Sequence, residues 1–297
     1  MNAPVHAPVH APAHAFAHAF AQRQQSNPWD KAAAGWNEHG DVIRSWLRDV
    51  SGAMLDAARI TTGLRVLDIA AGAGDQTLDI ARRVGTTGHV LATDLSERIL
   101  ALAERNAQAH GYPQVHTRVA DAQALGMLGA RFDAAVCRLG LMFCANPLLA
   151  LTEVRRALKP GGQFSAVVFS APPQNPCVTI TMAIARRYAG LAPAVSAAPG
   201  SLLSLGQPGL LAKLLGEAGF VKVTVQAVAA PFKLPSSQHY VNFVRAAGSP
   251  IIEMLTECPM ETQQRAWDEM ASALSRFNTD TGWEGPNELL LCNGTAP

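Results

Sequence analysis

The stretch Val66-Leu67-Asp68-Ile69-Ala70-Ala71-Gly72-Ala73-Gly74-Asp75-Gln76-Thr77 decides how this chain is read. An apolar run from Leu64 to Ile69 ends in small residues, then passes into helix-compatible sequence through Ala81-Arg82-Arg83. That order predicts a buried parallel strand, a tight glycine turn and a helix start. Gly72 and Gly74 supply the backbone freedom for a sharp turn and for close approach to a ligand. Turns of this kind, at the carboxyl end of a first strand, bind nucleotide-like ligands in open α/β sheets.

A glycine turn built for a dinucleotide presents bare amides and a positive helix end to a pyrophosphate. Here the third glycine position holds Thr77, and two acids, Asp68 and Asp75, flank the loop. Two carboxylates repel a pyrophosphate and suit a ligand with an ammonium and a sulfonium. S-adenosylmethionine carries both, together with an adenosine to be held further along. The next predicted strand, Gly88 to Thr93, ends at Asp94, 20 residues after Gly74. An acid at that distance reaches ribose hydroxyls in such folds. A third strand, about Val115 to Ala120, ends in Asp121-Ala122. A side-chain acceptor there can take a hydrogen bond from an adenine amino group, with Leu95 against the ring face.

Taken together, these segments resemble the class I S-adenosylmethionine-dependent methyltransferases, and within that class the ubiquinone/menaquinone-biosynthesis-like group. The matching residues are Val66 to Asp75, then Ala92-Thr93-Asp94-Leu95-Ser96 and Asp121-Ala122. They continue with Phe132 to Arg138 and with Glu153-Val154-Arg155-Arg156-Ala157-Leu158-Lys159-Pro160-Gly161-Gly162. The resemblance runs from about residue 62 to 170, and the family's first loop glycine is Ala70 here. It implies an α/β, Rossmann-like doubly wound seven-stranded sheet in the order 3-2-1-4-5-7-6, with a helical lid and inserts. It also implies S-adenosyl-L-methionine as cofactor, held by Asp68, Ala70, Gly72, Gly74, Gln76, Asp94, Leu95, Asp121, Ala122 and Arg138. The implied activity is methyl transfer to carbon or oxygen of a hydrophobic or aromatic small molecule, in quinone-like or secondary-metabolite biosynthesis.

Composition narrows the remaining classes. Of 297 residues 48% are hydrophobic, ample for a full core, and the formal net charge is +1. No basic block interleaves with aromatics, so nucleic acid is not an expected partner. The five cysteines (137, 144, 177, 258 and 292) form no C-x-x-C pair. They fit a reducing, cytoplasmic setting rather than a disulfide frame or a zinc site. No apolar run reaches the ~18 residues needed to cross a membrane. A monomer or a homodimer is expected, working on a small-molecule acceptor.

Residues 1–26 are low in complexity. His6, His10, His14 and His18 recur every four residues, but Pro4, Pro8 and Pro12 forbid a regular helix, so a disordered tail is expected. The first basic residue is Arg23, which argues against a secretory or transit leader. Residues 27–60 read as a helical lid, with Asn27-Pro28 as a start signal and Trp29, Trp36, Ile43, Trp46, Leu47 and Val50 at helical spacing. The remainder, 61–297, reads as the methyltransferase domain. It carries a Pro/Ala/Ser-rich insert at 171–206 and a helical insert at 236–281. The last strand, Glu288 to Cys292, is expected between strands five and six by analogy with the family.

Acceptor-site candidates are Trp29, Trp36, Met142, Phe143 and Tyr240. The two tryptophans can equally serve only to hold the lid helix on the sheet. His39 in the lid and His239 beside Tyr240 are the candidate general bases, by their near-neutral pKa. For each, a surface or capping role is the more ordinary one for a histidine. Arg138 either orients an anionic group or locks a strand end. Two rival readings remain: a non-catalytic S-adenosylmethionine-binding protein, and a nicotinamide-dependent oxidoreductase. The latter wants a third loop glycine and no acid at Asp75.

Overall fold

The computed structural model describes residues 28–126, 129, 131–193 and 198–297. The His-rich tail and part of the first insert lie outside the described residues. Two helices, α1 (Pro28–Glu38) and α2 (Gly40–Ala57), come first. The sequence reads this region as one continuous run. The chain instead divides at His39, a turn between the two helices.

The core then alternates strand and helix: β1 (Arg65–Ile69), α3 (Asp75–Val84), β2 (His89–Asp94), α4 (Glu97–Ala109), β3 (Val115–Val119), β4 (Phe132–Arg138), α5 (Pro147–Ala157) and β5 (Leu158–Phe169). The central strands form from near-continuous apolar runs buried on both faces, as in β4, where Ala134 to Cys137 are all buried, whereas the edge strand β3 (Val-His-Thr-Arg-Val) has no buried residue. Ser96 caps α4 by accepting a hydrogen bond from the Ile99 amide, and Asn146 does the same for α5 through the Leu149 amide. Beyond β5 follow α6 (Pro176–Tyr188), α7 (Leu210–Glu217), β6 (Val221–Ala229), β7 (Phe232–Leu234), α8 (Ser237–Ala247), α9 (Ser249–Thr256), α10 (Met260–Leu274), β8 (Asn278–Thr279), β9 (Gly282–Gly285) and β10 (Glu288–Thr295).

Seven strands form one sheet in the order β3-β2-β1-β4-β5-β10-β6. β1 to β5 are parallel, while β10 runs antiparallel to both β5 and β6. The expected order is therefore met, with the last strand inserted between the fifth and sixth. The helical reading of 236–281 holds as far as Leu274. It misses a small sheet, β7-β9-β8, whose strands of two to four residues are too short to carry a periodic signal.

Aromatic side chains join the lid helix α2, the small sheet and α10. Trp46 stacks on Phe232 at 4.0 Å between centroids, and its Nε1 donates to the Ala230 carbonyl at 2.8 Å. Trp283 is 2% exposed and donates to the Leu274 carbonyl. Truncating a ring of that size costs about 3–5 kcal/mol. Gly35 lets α1 lie against α8: a Cβ there would fall 1.9 Å from the Ala246 carbonyl oxygen. Among the described residues no helix is long and apolar enough to cross a membrane.

Candidate active site

The chain bends sharply after β1. Ala70, Gly72 and Gly74 all adopt left-handed backbone conformations, with φ of +53°, +58° and +90°. For Ala70 this costs of the order of 1–2 kcal/mol, because its Cβ crowds the following carbonyl. The bend is held from β2: the Gly72 amide donates to Asp94 Oδ2 at 3.1 Å, and the Ala71 amide donates to the Thr93 carbonyl at 3.0 Å. Asp94 also accepts from the Ser96 amide at 3.1 Å. Burial lifts its carboxyl above the ordinary carboxylate range, opposed by these backbone donors.

A cleft opens at these strand ends, enclosing about 1140 Å³ with the solvent at its mouth included. Of the residues expected to hold the cofactor, Ala70, Gly72, Gln76, Asp94, Leu95, Asp121, Ala122 and Arg138 line it. Asp68 and Gly74 do not. Asp68 is 0% exposed. Its carboxylate accepts from Thr77 Oγ1 at 2.6 Å and from Gln76 Nε2, and so ties the strand end to the first turn of α3. Desolvation pushes its carboxyl up to about 7, with the Thr77 and Gln76 hydrogen bonds opposing. Gly74 is required by packing rather than by a ligand, since a Cβ there would sit 3.0 Å from Cα and Cβ of Ala103 on α4.

The expected pair of free carboxylates beside the loop is thus corrected. Asp68 is sealed beneath α3, and Asp75 is neutralised by ion pairs with Arg138 at 2.8 Å and Arg44 at 3.3 Å. Arg138 is 7% exposed and also donates to Ser51 Oγ at 2.8 Å. It therefore links β4, α2 and α3 at the floor of the cleft.

What the cleft offers a ligand is mainly hydrogen-bond acceptors. Asp94 accepts from the Gly72 and Ser96 amides and Asp121 from Gln123, both carboxylates line the cleft, and Gln76 Oε1 is buried without a partner. Arg138, the cation at the floor, is already matched by Asp75. An adenosine with ribose hydroxyls and an amino group, joined to an ammonium-bearing tail, fits this donor-poor surface. A pyrophosphate does not, because two negative charges would face Asp94 with no uncommitted cation opposite.

A second cavity of about 660 Å³, open solvent included, adjoins the cleft. It is almost wholly apolar, and Trp29, Trp36, Leu139 and Phe143 line both spaces. Trp29 meets Phe143 edge-on at 4.8 Å. All five acceptor-site candidates, Trp29, Trp36, Met142, Phe143 and Tyr240, line this second cavity. α1 spans the junction. Ser96 Oγ donates to the Asp30 carboxylate, and Asn106 Nδ2 donates to Asn37 Oδ1 at 3.1 Å and to the Ala73 carbonyl at 2.9 Å.

The structure brings neither candidate base to these cavities. His39 Nδ1 donates to the Gly35 carbonyl at 3.1 Å within the helix break, with its ring 5.8 Å from that of Phe243. His239 is exposed and shares a hydrogen bond with Ser236 Oγ at the start of α8. Both are held by local backbone or capping contacts, and neither lines the cleft or the apolar cavity.

Sequence reasoning also missed Gly140, Trp46, Phe232 and Phe243. A Cβ on Gly140 would lie 2.3 Å from the Ala70 Cβ. The alanine in the glycine bend is therefore accommodated by a glycine on the neighbouring strand end. The aromatic density between residues 232 and 243 was the signal that could have exposed the cavity wall.

Residues 66–162 match the methyltransferase-domain family. That match takes in the glycine bend and the run from β1 through β2, β3 and β4 to α5. The chain is 32% identical over 156 residues to the ubiquinone/menaquinone biosynthesis C-methyltransferase UbiE of Hahella chejuensis, covering 50% of this chain and 61% of that one. It is 39% identical over 108 residues to a 2-phytyl-1,4-naphtoquinone methyltransferase of Trichormus variabilis, covering 36% and 47%. The matched stretch is thus less than two thirds of these relatives' length. Among solved structures, YcgJ of Bacillus subtilis aligns with a TM-score of 0.56 at 19% identity, over 84% of this chain and 98% of that one. Phosphoethanolamine N-methyltransferase 2 of Haemonchus contortus, in complex with S-adenosyl-L-methionine, aligns with a TM-score of 0.54 at 16% identity, over 84% and 52%. These two likenesses concern the fold.

Proposed function

We propose that this chain transfers the methyl group of S-adenosylmethionine to a hydrophobic aromatic small molecule. The observation that carries the proposal is the meeting of two unlike cavities at one wall. An acceptor-lined cleft at the strand ends touches an apolar cavity through Trp29, Trp36, Leu139 and Phe143. Support for an aromatic acceptor comes from relatives named as quinone methyltransferases.

When bound, S-adenosylmethionine supplies a methyl group activated by a sulfonium leaving group. The residues of this chain then have separable tasks. Asp94 accepts from the ribose hydroxyls. Asp121 takes the adenine amino group, with Ala122 and Leu95 beside the ring. Gln76 Oε1, otherwise unpartnered, accepts from the ammonium, while the Arg138–Asp75 pair faces the amino-acid end. Trp29 and Phe143 at the junction, covered by α1, exclude water from the line between methyl and acceptor. Holding the reacting atoms in line at about 3 Å can lower the barrier by ~7–11 kcal/mol.

The described residues lining the two cavities include no histidine, and those lining the apolar one include no carboxylate. That favours an acceptor needing little help to lose a proton, such as the ring carbon of a phenolate. The same observation leaves a second reading in play. A [4+2]-cyclase, SpnF, aligns with a TM-score of 0.52 at 18% identity, and fold alone does not decide reaction type. The deciding experiment supplies methyl-labelled S-adenosylmethionine with a panel of phenols, naphthols and hydroquinones. Label appearing in at least one of them is expected. Binding of the donor with transfer to none of them would count against the proposed acceptor class.

A further inference from the structure

A polar group of the apolar cavity has no partner among the described residues. Tyr240 on α8 is 3% exposed and lines the cavity. Its ring is fixed among aromatics: Phe232 edge-on at 4.9 Å, Trp283 at 5.2 Å and Phe243 at 6.4 Å. Yet its hydroxyl makes no hydrogen bond to any described residue, nor is it among the side-chain atoms sealed from solvent without a partner. The hydroxyl is therefore open to the cavity, where water or a bound molecule can be its partner.

The neighbouring polar groups are already committed. Thr181 Oγ1 donates within α6, to the Cys177 and Val178 carbonyls, and Trp46 Nε1 is taken by Ala230. The Trp36 indole Nε1, on the wall shared with the cofactor cleft, likewise has no partner. The Tyr240 hydroxyl, not sealed in the same way, can donate one hydrogen bond and accept another. Burial holds the Tyr240 phenol well above its ordinary range, so it stays protonated and cannot serve as the missing base. As a donor, that hydroxyl suits an acceptor oxygen.

We infer that Tyr240 is the specificity-determining residue of the acceptor cavity, donating a hydrogen bond to the ring oxygen of a phenol-type acceptor whose remaining surface is apolar. The inference rests on the methyltransferase reading above and deepens it by naming the acceptor class. A donor at that oxygen also stabilises the phenolate over the phenol, which lowers the need for a separate base.

The test uses the full chain, a Tyr240→Phe variant, and two probes of similar shape, 2-naphthol and 2-methylnaphthalene. Each dissociation constant is measured by equilibrium dialysis. Removing the donor should weaken 2-naphthol binding about three- to tenfold and leave 2-methylnaphthalene unchanged. Equal changes for both probes, or none for 2-naphthol, would overturn the inference. The variant should melt no lower than the parent, because no internal hydrogen bond is lost. A clear drop in melting temperature would show that the hydroxyl has an internal partner and would equally sink it. Calorimetric titration of S-adenosylmethionine into both proteins separates the two levels. Loss of donor binding in the parent would remove the methyltransferase reading, whereas donor binding with an unmoved 2-naphthol affinity would remove only the role of Tyr240.

Discussion

Replacing Asp68 by Asn should remove a pH dependence that the fold builds in. Asp68 is 0% exposed and its carboxyl is pushed up to about 7 from 3.8, chiefly by desolvation. Between those values the unfolded chain has released the proton while the folded chain retains it. The unfolded state therefore binds fewer protons, and stability falls as pH rises through the window, levelling off above about pH 7. A displacement of about three pH units corresponds to roughly 4 kcal/mol, lost at up to ~1.4 kcal/mol per unit. Asn keeps a carbonyl oxygen for Gln76 Nε2, and the Thr77 hydroxyl can turn to accept from the new amide. Urea unfolding of both proteins from pH 4.5 to 8, followed by circular dichroism, isolates the effect, because every other titrating group is common to the pair. The stability of Asp68→Asn relative to the parent should climb by a few kcal/mol from pH 4.5 to 7 and then stay flat. A difference that is constant across the window would refute the argument.

Other expectations concern the bend and the aromatic fastening. Gly140→Ala places a methyl 2.3 Å from the Ala70 Cβ and should cost about 1–3 kcal/mol in urea unfolding. In an Ala70→Gly background the same change should cost much less, and an identical cost in both would deny the contact. Ala70→Gly alone relieves the left-handed alanine at φ +53° and should not destabilise the fold despite the freer unfolded chain, which the same unfolding curves measure. Trp46→Phe leaves the Ala230 carbonyl without its indole donor and should lower stability by about 1–3 kcal/mol, whereas an unchanged midpoint would remove that hydrogen bond from the account.

The sheet was legible because burial on both faces writes itself as apolar runs, punctuated by Gly72-Ala73-Gly74, Asp94 and Lys159-Pro160-Gly161-Gly162. Asp94, Asp121 and Gln76 lie where strand ends must place them, since the strand order fixes which termini share the cleft. Charge was the less reliable guide. Asp68 and Asp75 read as free carboxylates in one dimension, but partners distant in sequence, Arg138 for Asp75 above all, decide their state in three. His39 and His239 attracted attention by residue type alone, and local backbone and hydroxyl contacts claim both. The small β7-β9-β8 sheet and the fit of Gly140 against Ala70 arise from contacts between segments tens of residues apart, which no local pattern announces.

The account turns on Asp94 and the bend it steadies serving as the seat of an adenosine-bearing methyl donor. Titration calorimetry of S-adenosylmethionine into the parent protein and into Asp94→Asn, with NADH as the comparison ligand, addresses that directly. Saturable binding to the parent, weakened about tenfold or more in the folded variant, with no NADH binding, is the predicted result. An affinity indifferent to Asp94→Asn, or a preference for NADH, would contradict it.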